Sequence, residues 1–249
     1  MDQIALKMNR TQNIACPYGP EFEVYWNMRY RLFSKFDQAM VDATGLYTMV
    51  PEASALDMAG RSSGSRALDL CSGVGSMSVA LARSGQQVTA VEIDQQRVAM
   101  AKHNAQIYGV ADLIDFRQED ITAETTLQSL PADIDTLWID PPWGQGPGEY
   151  IRRPVIYLED LQLAGMDLRR LVRSITCSEV MMRFPPNFDV GIFRQTQGEK
   201  LAYVTRKGYL HWYFMRMPKQ QFIGIPDQST SPPGTPASRE GITAHFIQN

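Results

Sequence analysis

The chain of 249 residues is 44% hydrophobic and 20% charged, which is typical of a globular protein that buries a continuous core. Its formal net charge of −3 argues against a protein that grips long nucleic acid along the backbone, because that mode needs a basic face. The three cysteines are widely spaced and form no Cys-x-x-Cys pair, so they indicate neither a disulfide framework nor a zinc site.

The sequence shows no signal for a membrane or for secretion. No apolar run reaches the eighteen or so residues of a membrane-spanning helix, and the N-terminus lacks a basic segment followed by an apolar core. We therefore expect a cytoplasmic or nuclear protein that is not secreted, binds neither membrane nor metal, and is a monomer.

Residues 1–64 are predicted to form a small helical cap. From Tyr25 to Asp37 the chain is dense in aromatic side chains, and its apolar residues follow helical spacing. Gly45 is placed to end that helix, and Pro51 suits the first turn of another helix over about 51–60. The alternative is a peripheral helix pair that only covers one edge of a sheet.

Residues 65–217 are predicted to form an α/β domain with a doubly wound, Rossmann-like sheet. Apolar strands alternate with amphipathic helices, and strands are expected over 66–70, 88–91, 114–117, 136–139 and 180–184. Helices are expected over 76–84, 95–108, 122–130, 158–173 with a break near Gly165, and 188–196. A hairpin of 201–206 and 209–215 follows, and residues 218–249 are predicted to be a polar, proline-rich tail.

The first strand is followed by a glycine turn, Asp69-Leu-Cys-Ser-Gly73-Val-Gly75, that opens a helix. Glycines let backbone amides approach a ligand closely, although a lone Gly-x-Gly without a third glycine is weak evidence. Glu92 ends the second strand, where an acidic group can bind ribose hydroxyls, and Asp120 ends the third, where it could bind an adenine amine. A tight turn, a surface carboxylate and a helix cap are the alternative interpretations of these three features.

The fourth strand ends in Asp140-Pro-Pro-Trp143. The two prolines fix φ near −65° and remove two N–H donors, which leaves carbonyl groups that can accept hydrogen bonds from an amine. The indole of Trp143 could stack on the ring that carries the amine. The alternative is an ordinary strand exit with a surface tryptophan.

Together these motifs resemble S-adenosylmethionine-dependent methyltransferases of class I that modify exocyclic amines, in which an antiparallel hairpin closes a seven-stranded sheet. Residues 25–190 more specifically resemble the RNA cap guanine-N2 methyltransferases, or trimethylguanosine synthase family. The resemblance lies in Tyr25-Trp26, Arg29 to Asp37, Gly45 with Pro51-Glu52, Ala59-Gly60-Arg61, Asn104-Ala105, Tyr108-Gly109 and Pro141-Pro-Trp-Gly144.

The resemblance implies methylation of the guanine N2 amine of a 7-methylguanosine RNA cap, with S-adenosylmethionine as cofactor and RNA or a guanine nucleotide as substrate. The implied cofactor-binding residues are Phe33, Asp69, Cys71, Gly73, Gly75, Glu92, Ile93, Asp120 and Ile121. The implied catalytic residues are Asp140, Pro141 and Trp143, and the implied substrate-binding residues are Thr48, Asn104 and Trp143.

The chain departs from the family pattern at positions that matter for substrate binding. The family's Ser-Pro-Pro-Trp is Asp140-Pro-Pro-Trp143 here, and Gln145 inserts into its Trp-Gly-Gly-Pro pattern. Basic residues expected before Tyr25 and after the fifth strand are replaced by Val24 and Pro186, which removes two expected ligands of cap phosphates. The alternatives are an amino methyltransferase for uncapped ribosomal or transfer RNA or a small molecule, and a non-catalytic module that binds RNA or cofactor.

Overall fold

The computed structural model describes residues 15–144, 146–226 and 241–246, so Gln145 and the Asp227–Arg239 stretch of the predicted tail lie outside the described residues. The helices are α1 Glu23–Asn27, α2 Arg29–Leu32, α3 Ala43–Thr48, α4 Glu52–Ala59, α5 Ser76–Arg83, α6 Gln95–Tyr108, α7 Glu124–Ser129, α8 Leu168–Ser174 and α9 Lys219–Ile223. The strands are β1 Arg66–Leu70, β2 Gln87–Glu92, β3 Ile114–Gln118, β4 Ile134–Ile139, β5 Gln162–Leu163, β6 Met166–Asp167, β7 Cys177–Phe184, β8 Glu199–Val204, β9 Leu210–Pro218 and β10 Thr243–Phe246.

The main sheet has the strand order β10-β8-β9-β7-β4-β1-β2-β3. Strands β3, β2, β1, β4 and β7 run parallel, and β9 is antiparallel to both β7 and β8. The order reverses direction at β1 and β4, and such a switch point leaves a crevice at the carboxyl ends of the strands. The doubly wound α/β fold and the closing hairpin are thus confirmed.

The sheet contains eight strands within the described residues, so the prediction of seven was wrong. The additional strand is β10, which pairs in parallel with β8 inside the segment predicted as a tail. Its sequence carries little apolar alternation, and its placement depends on long-range contacts. His245 packs on the Tyr203 ring with the centroids 4.8 Å apart, and its Nε2 lies 3.2 Å from Asp57 Oδ2.

The apolar side chains form a cluster on each face of the sheet and a third cluster within the N-terminal region. The third cluster contains Leu32, Phe33, Phe36, Leu46, Met49 and Val74. Val74 belongs to the glycine turn after β1, and the cluster therefore packs the N-terminal helices directly over the carboxyl ends of the strands.

Two helical predictions in the N-terminal region were wrong in extent. The aromatic segment forms short α1 and α2, and the backbone becomes extended at Phe33 with φ −134° and ψ 127°. Burial of Phe33 in the third cluster replaces a longer helix, because tertiary packing outweighs local spacing. Gly45 lies inside α3, where a Cβ would come within 2.6 Å of Val74 Cγ1, so it permits close packing and does not end a helix.

The helix predicted over 158–173 is also different in the structure. Residues 158–160 form a single 3-10 turn, β5 and β6 form a small hairpin, and α8 begins only at Leu168. Asp167 caps α8 by accepting hydrogen bonds from the amides of Arg169 and Arg170, which explains where the helix starts. Among the described residues, no helix has the length and apolar character to cross a membrane, and no group of three or more potential ligands could hold a metal ion.

Candidate active site

A cavity of about 560 Å³ opens at the carboxyl ends of β1, β2, β3, β4 and β7. Ten of the residues predicted for the site line it: Thr48, Cys71, Gly73, Glu92, Ile93, Asp120, Ile121, Asp140, Pro141 and Trp143. Phe33, Asp69, Gly75 and Asn104 do not line it. The sheet therefore brings the two predicted halves of the site, for cofactor and for acceptor, into one space.

The glycine turn after β1 forms the floor of the cofactor half. Cys71 has φ 61° and Gly73 φ 55°, and a Cβ built on Gly73 would meet no atom within 4 Å. The space beside Gly73 is thus open to a ligand. Gly75 has a different role, because a Cβ there would lie 3.0 Å from the Cβ of Ala101, so glycine lets α6 pack against the turn.

Glu92 is fixed at the end of β2 by main-chain donors. Gly73 N donates to Glu92 Oε2 at 2.8 Å, and Asp94 N donates to Oε1 at 3.0 Å. The side chain is 6% exposed and borders the cavity. Because both oxygens are held from one side, the carboxylate keeps one orientation, and its remaining lone pairs can accept hydroxyl groups.

Asp120 and Ile121 complete this half beyond the end of β3. Asp120 Oδ1 accepts from the amide and the hydroxyl of Thr122 at 2.8 and 2.7 Å. Oδ2 accepts no hydrogen bond from any described residue, so it is available to an amine. The buried side chain of Ile121 adds an apolar surface for a flat ring.

Asp69 lies behind the turn and does not contact the cavity. It is 1% exposed and accepts a hydrogen bond from the Ser78 hydroxyl. Burial, together with the nearby carboxylates of Asp140 and Glu92, raises the pKa of Asp69 to about 7. Its position indicates support of the turn and an electrostatic influence on the cavity, in place of direct cofactor contact.

Phe33 and Asn104 are buried and do not line the cavity. Phe33 is 1% exposed and packs on Tyr108 with ring centroids 5.5 Å apart, so it does not reach a ligand in the cavity. Asn104 is fully buried, receives a hydrogen bond from Met40 N and donates to the carbonyls of Met40 and Val74. Its amide connects the N-terminal region to the glycine turn and is not placed at a guanine edge.

The acceptor half is built on the turn after β4. Asp140 Oδ2 accepts from Arg183 Nη2 at 2.6 Å, and these side chains are only 16% and 8% exposed. Burial raises the pKa of Asp140, and the Arg183 charge opposes that rise. The Arg183 guanidinium also lies over the Trp143 ring, 4.7 Å from its centroid, while Tyr150 meets that ring edge-on at 5.4 Å.

Residues that the sequence analysis did not assign to the site also line the cavity. They include Tyr25, Met28, Tyr47, Arg97, Tyr150, Leu163, Arg183, His211 and Trp212. Arg183 could have been found, since it is the only charged residue in the apolar run Val180-Met-Met-Arg-Phe184. Tyr25 and Tyr47 come from the short helices α1 and α3, which the third apolar cluster packs over the sheet, whereas Tyr150 follows β4 and packs against the apolar cluster on one face of the sheet.

Comparison with known proteins fits this geometry. The chain is 32% identical over 185 residues to the trimethylguanosine synthase of Schizosaccharomyces pombe, covering 71% of this chain and 76% of that protein. It is 30% identical to the Saccharomyces cerevisiae trimethylguanosine synthase, covering 76% of this chain and 65% of that protein. A solved structure assigned as a methyltransferase from Porphyromonas gingivalis W83 has a TM-score of 0.57 at 17% identity, covering 86% of this chain and 56% of that one, which shows a shared fold.

The model of the RNA cap guanine-N2 methyltransferase family matches residues 64–217. This span begins before β1 and ends within β9, and it contains the glycine turn, Glu92, Asp120 and the Asp140 turn. Its limits nearly coincide with the predicted α/β domain. The chain is a class I methyltransferase that uses S-adenosylmethionine, and it belongs to the RNA cap guanine-N2 methyltransferase family.

Proposed function

We propose that this protein methylates the exocyclic N2 amine of guanine, with a 7-methylguanosine cap-like RNA as the substrate. The observation that carries the proposal is one cavity lined by Glu92 and Asp120 on one side and by Asp140, Pro141 and Trp143 on the other. Family membership and the two yeast relatives support guanine as the base.

The cofactor half fits S-adenosylmethionine by the chemistry of its donors and acceptors. The Glu92 carboxylate would accept the two ribose hydroxyls, and Asp120 Oδ2 would accept the adenine amine. The open space beside Gly73 would admit the amino acid end of the molecule to the backbone of the turn. When bound, the cofactor supplies an electrophilic methyl group on a sulfonium centre.

The acceptor half would hold the guanine through the Asp140-Pro-Pro-Trp turn. Asp140 Oδ1 accepts no hydrogen bond from any described residue. It can therefore accept a hydrogen bond from one N–H of the N2 amine while the carbonyl of Pro141 accepts one from the other N–H. Stacking of the base on Trp143 contributes about 1 to 3 kcal/mol. These contacts fix the plane of the base and the direction of the nitrogen lone pair, so catalysis is mainly positioning.

Asp140 has a second role as the nitrogen becomes positively charged. A carboxylate held beside that nitrogen stabilises the developing charge and can receive the proton that is released. No enzyme nucleophile is needed. Burial and the neighbouring carboxylates raise the pKa of the Cys71 thiol far above its ordinary value, so this cavity-lining thiol stays protonated and unreactive.

The proposal is tested by transfer of a tritiated methyl group from S-adenosylmethionine to a panel of acceptors. The panel contains 7-methylguanosine diphosphate, RNA with a 7-methylguanosine cap, GTP, and uncapped transfer and ribosomal RNA. We expect labelled N2,7-dimethylguanosine from the first two, identified by chromatography of the nucleosides. Labelling of uncapped RNA alone would overturn the assignment of a cap as substrate and would support an amino methyltransferase that acts on uncapped RNA.

A calorimetric titration with S-adenosylmethionine accompanies the panel. Cofactor binding without labelling of any acceptor would favour a non-catalytic module. The departures at Val24 and Pro186 concern the binding of the cap phosphates. Val24 is 67% exposed, and neither residue offers a charge to a phosphate. Comparing 7-methylguanosine with its diphosphate measures how much the phosphates contribute, and we expect less than a tenfold gain, about 1.4 kcal/mol.

A further inference from the structure

Arg183 occupies a central position that the strand order creates. Strand β7 lies between β4 and β9, so a side chain near its carboxyl end has Asp140 on one side and Trp212 on the other. The Arg183 guanidinium is 4.7 Å from the Trp143 ring centroid and 5.7 Å from that of Trp212. With 6% exposure, this arginine is part of the cavity wall.

Arg183 contacts two side chains of the turn after β4 and the end of α3. One amino group, Nη2, donates both to Asp140 Oδ2 and to the main-chain carbonyl of Thr48 at the end of α3. The guanidinium plane lies over Trp143. A buried arginine without these partners would be strongly unfavourable, so the contacts hold the turn, the ring and α3 together.

We propose that Arg183 is the positioning residue of the acceptor site, fixing the Asp140 carboxylate, one face of Trp143 and the end of α3 relative to one another. This rests on the proposed N-methylation of guanine. Because the guanidinium covers one face of Trp143, the base has only the opposite face on which to stack. Because it pairs with Asp140 Oδ2, the other oxygen stays directed to the acceptor amine.

The pair also opposes protonation of a buried carboxylate. Without the guanidinium, burial acts unopposed and the pKa of Asp140 rises further. Besides Asp140 and Arg183, the titratable and charged groups around the cavity are Tyr25, Tyr47, Asp69, Cys71, Glu92, Arg97, Glu119, Asp120, Tyr150 and His211. Burial raises the pKa of Asp140, and the charge and the hydrogen bond of Arg183 are what oppose that rise.

The first test compares methyl transfer by Arg183→Met, Arg183→Lys and wild type between pH 6 and 9. We expect Arg183→Met to lose about 10²-fold in kcat near neutral pH and to recover part of it as pH rises and Asp140 ionises. Arg183→Lys keeps the charge without the planar fork, and we expect a loss within about tenfold and a pH profile like that of wild type. Cofactor affinity should change by less than about threefold in both variants.

Arg169→Met is the matched control. Arg169 is 7% exposed and paired with Asp167 and Glu159, but it does not line the cavity. Its loss should lower the melting temperature and leave kcat and its pH profile unchanged. If Arg183→Met behaved like Arg169→Met, with wild-type kcat, the positioning role would be wrong.

A second background separates action through Asp140 from general packing. In Asp140→Asn, the added change Arg183→Met should cost less than about threefold in kcat, because the carboxylate that Arg183 holds is already absent. Additive losses in the double variant would overturn the proposal. If Arg183→Met does not fold, Arg183→Lys takes its place, and a loss in kcat that is as large in the Asp140→Asn background as in wild type, or no loss in either background, would contradict the proposal.

Melting temperatures distinguish this proposal from the proposed function, because they need no substrate. In Arg183→Met the pKa of Asp140 in the folded state lies above its pKa in the unfolded state. The stabilisation that protonated Asp140 provides is therefore complete at low pH and is lost as pH rises through the folded-state pKa. We expect the melting temperature of Arg183→Met to fall relative to wild type as pH rises, and Asp140→Asn in the same chain to abolish that trend. If this trend is seen but wild type does not methylate guanine, the proposed function is wrong and the coupling between Arg183 and Asp140 still holds. If the trend is absent, the proposed coupling is wrong.

Discussion

The two halves of the cavity are built in different ways. In the cofactor half, Glu92 is held by the amides of Gly73 and Asp94, and Asp120 by the amide and hydroxyl of Thr122. In the acceptor half, Asp140 is held by the side chain of Arg183, 43 positions away, and that side chain also contacts Thr48, 135 positions away. The first half depends on turns directly after strands, and the second on tertiary contacts.

This difference predicts how each half responds to change. Main-chain donors at a strand end stay in place when a neighbouring side chain is removed, because the sheet holds them. A charged side chain across two strands loses its geometry when its partner is lost. Substitutions in the acceptor half should therefore affect catalysis broadly, whereas those in the cofactor half should act on cofactor affinity alone.

The largest expected effect is that of Asp140→Ala. Removing the carboxylate deletes the acceptor for the amine proton and leaves the Arg183 charge buried without a partner, so we expect kcat to fall by about 10³-fold. Calorimetric affinity for the cofactor should stay within about threefold. Asp133→Ala, which removes an exposed ion pair with Arg66, is the control and should have wild-type kcat.

Glu92→Gln tests the other half. Replacing a charged acceptor of hydroxyl groups with a neutral amide should raise the cofactor Kd by about 10- to 100-fold, corresponding to roughly 1.5 to 3 kcal/mol. Binding of 7-methylguanosine diphosphate should be unchanged, as measured by fluorescence titration. Equal weakening of both ligands would show that the halves are not independent.

The same contrast explains what could be predicted from the sequence. Glu92, Asp120 and the glycine turn could be found because each follows its own strand, and parallel strands bring their carboxyl ends to one edge. The lone charge in an apolar strand marks Arg183, but its role could not be predicted, because its partners are set by the strand order β9-β7-β4, which no local pattern encodes.

Two further placements could not be predicted for the same reason. Asn104 was expected at a guanine edge, and its buried hydrogen bonds to Met40 and Val74 depend on how the N-terminal helices pack over α6. Strand β10 was missed because its pairing with β8 outweighs a weakly apolar sequence. The cytoplasmic or nuclear location, the monomeric state and the division into cap, domain and tail stay predictions.

Trp143→Ala is expected to have a smaller effect, on acceptor affinity. Loss of stacking should raise the KM for 7-methylguanosine diphosphate by about tenfold, within the roughly 1 to 3 kcal/mol of one base on an aromatic ring. Trp143→Phe keeps an aromatic ring at this position and should restore most of the lost affinity. Trp138→Phe is a control for tryptophan loss, because Trp138 is buried under Phe214 and does not line the cavity. An unchanged KM in Trp143→Ala would place the base elsewhere.

The smallest expected effect is that of Asp69→Asn, and it is a pH effect. Burial raises the folded pKa of Asp69 to about 7, above the ordinary value of 3.8, so the folded state keeps a proton that the unfolded state releases. This contribution to stability is complete below about pH 4 and is lost as pH rises through about 7. The side-chain amide that Asp69→Asn introduces would still accept a hydrogen bond from the Ser78 hydroxyl, but it has no proton to lose in this pH range.

Other carboxylates change stability in the opposite sense, since the pKa values of Glu52, Asp57 and Glu179 are lowered by their hydrogen bonds and ion pairs. The informative quantity is therefore the melting temperature of Asp69→Asn minus that of wild type, measured from pH 6 to pH 7. We expect this difference to grow with pH by about 2 to 4 °C, corresponding to roughly 1 kcal/mol. A difference independent of pH would mean that Asp69 is ionised throughout this range. The cofactor half would then carry the negative charge of Asp69 in addition to those of Glu92 and Asp120.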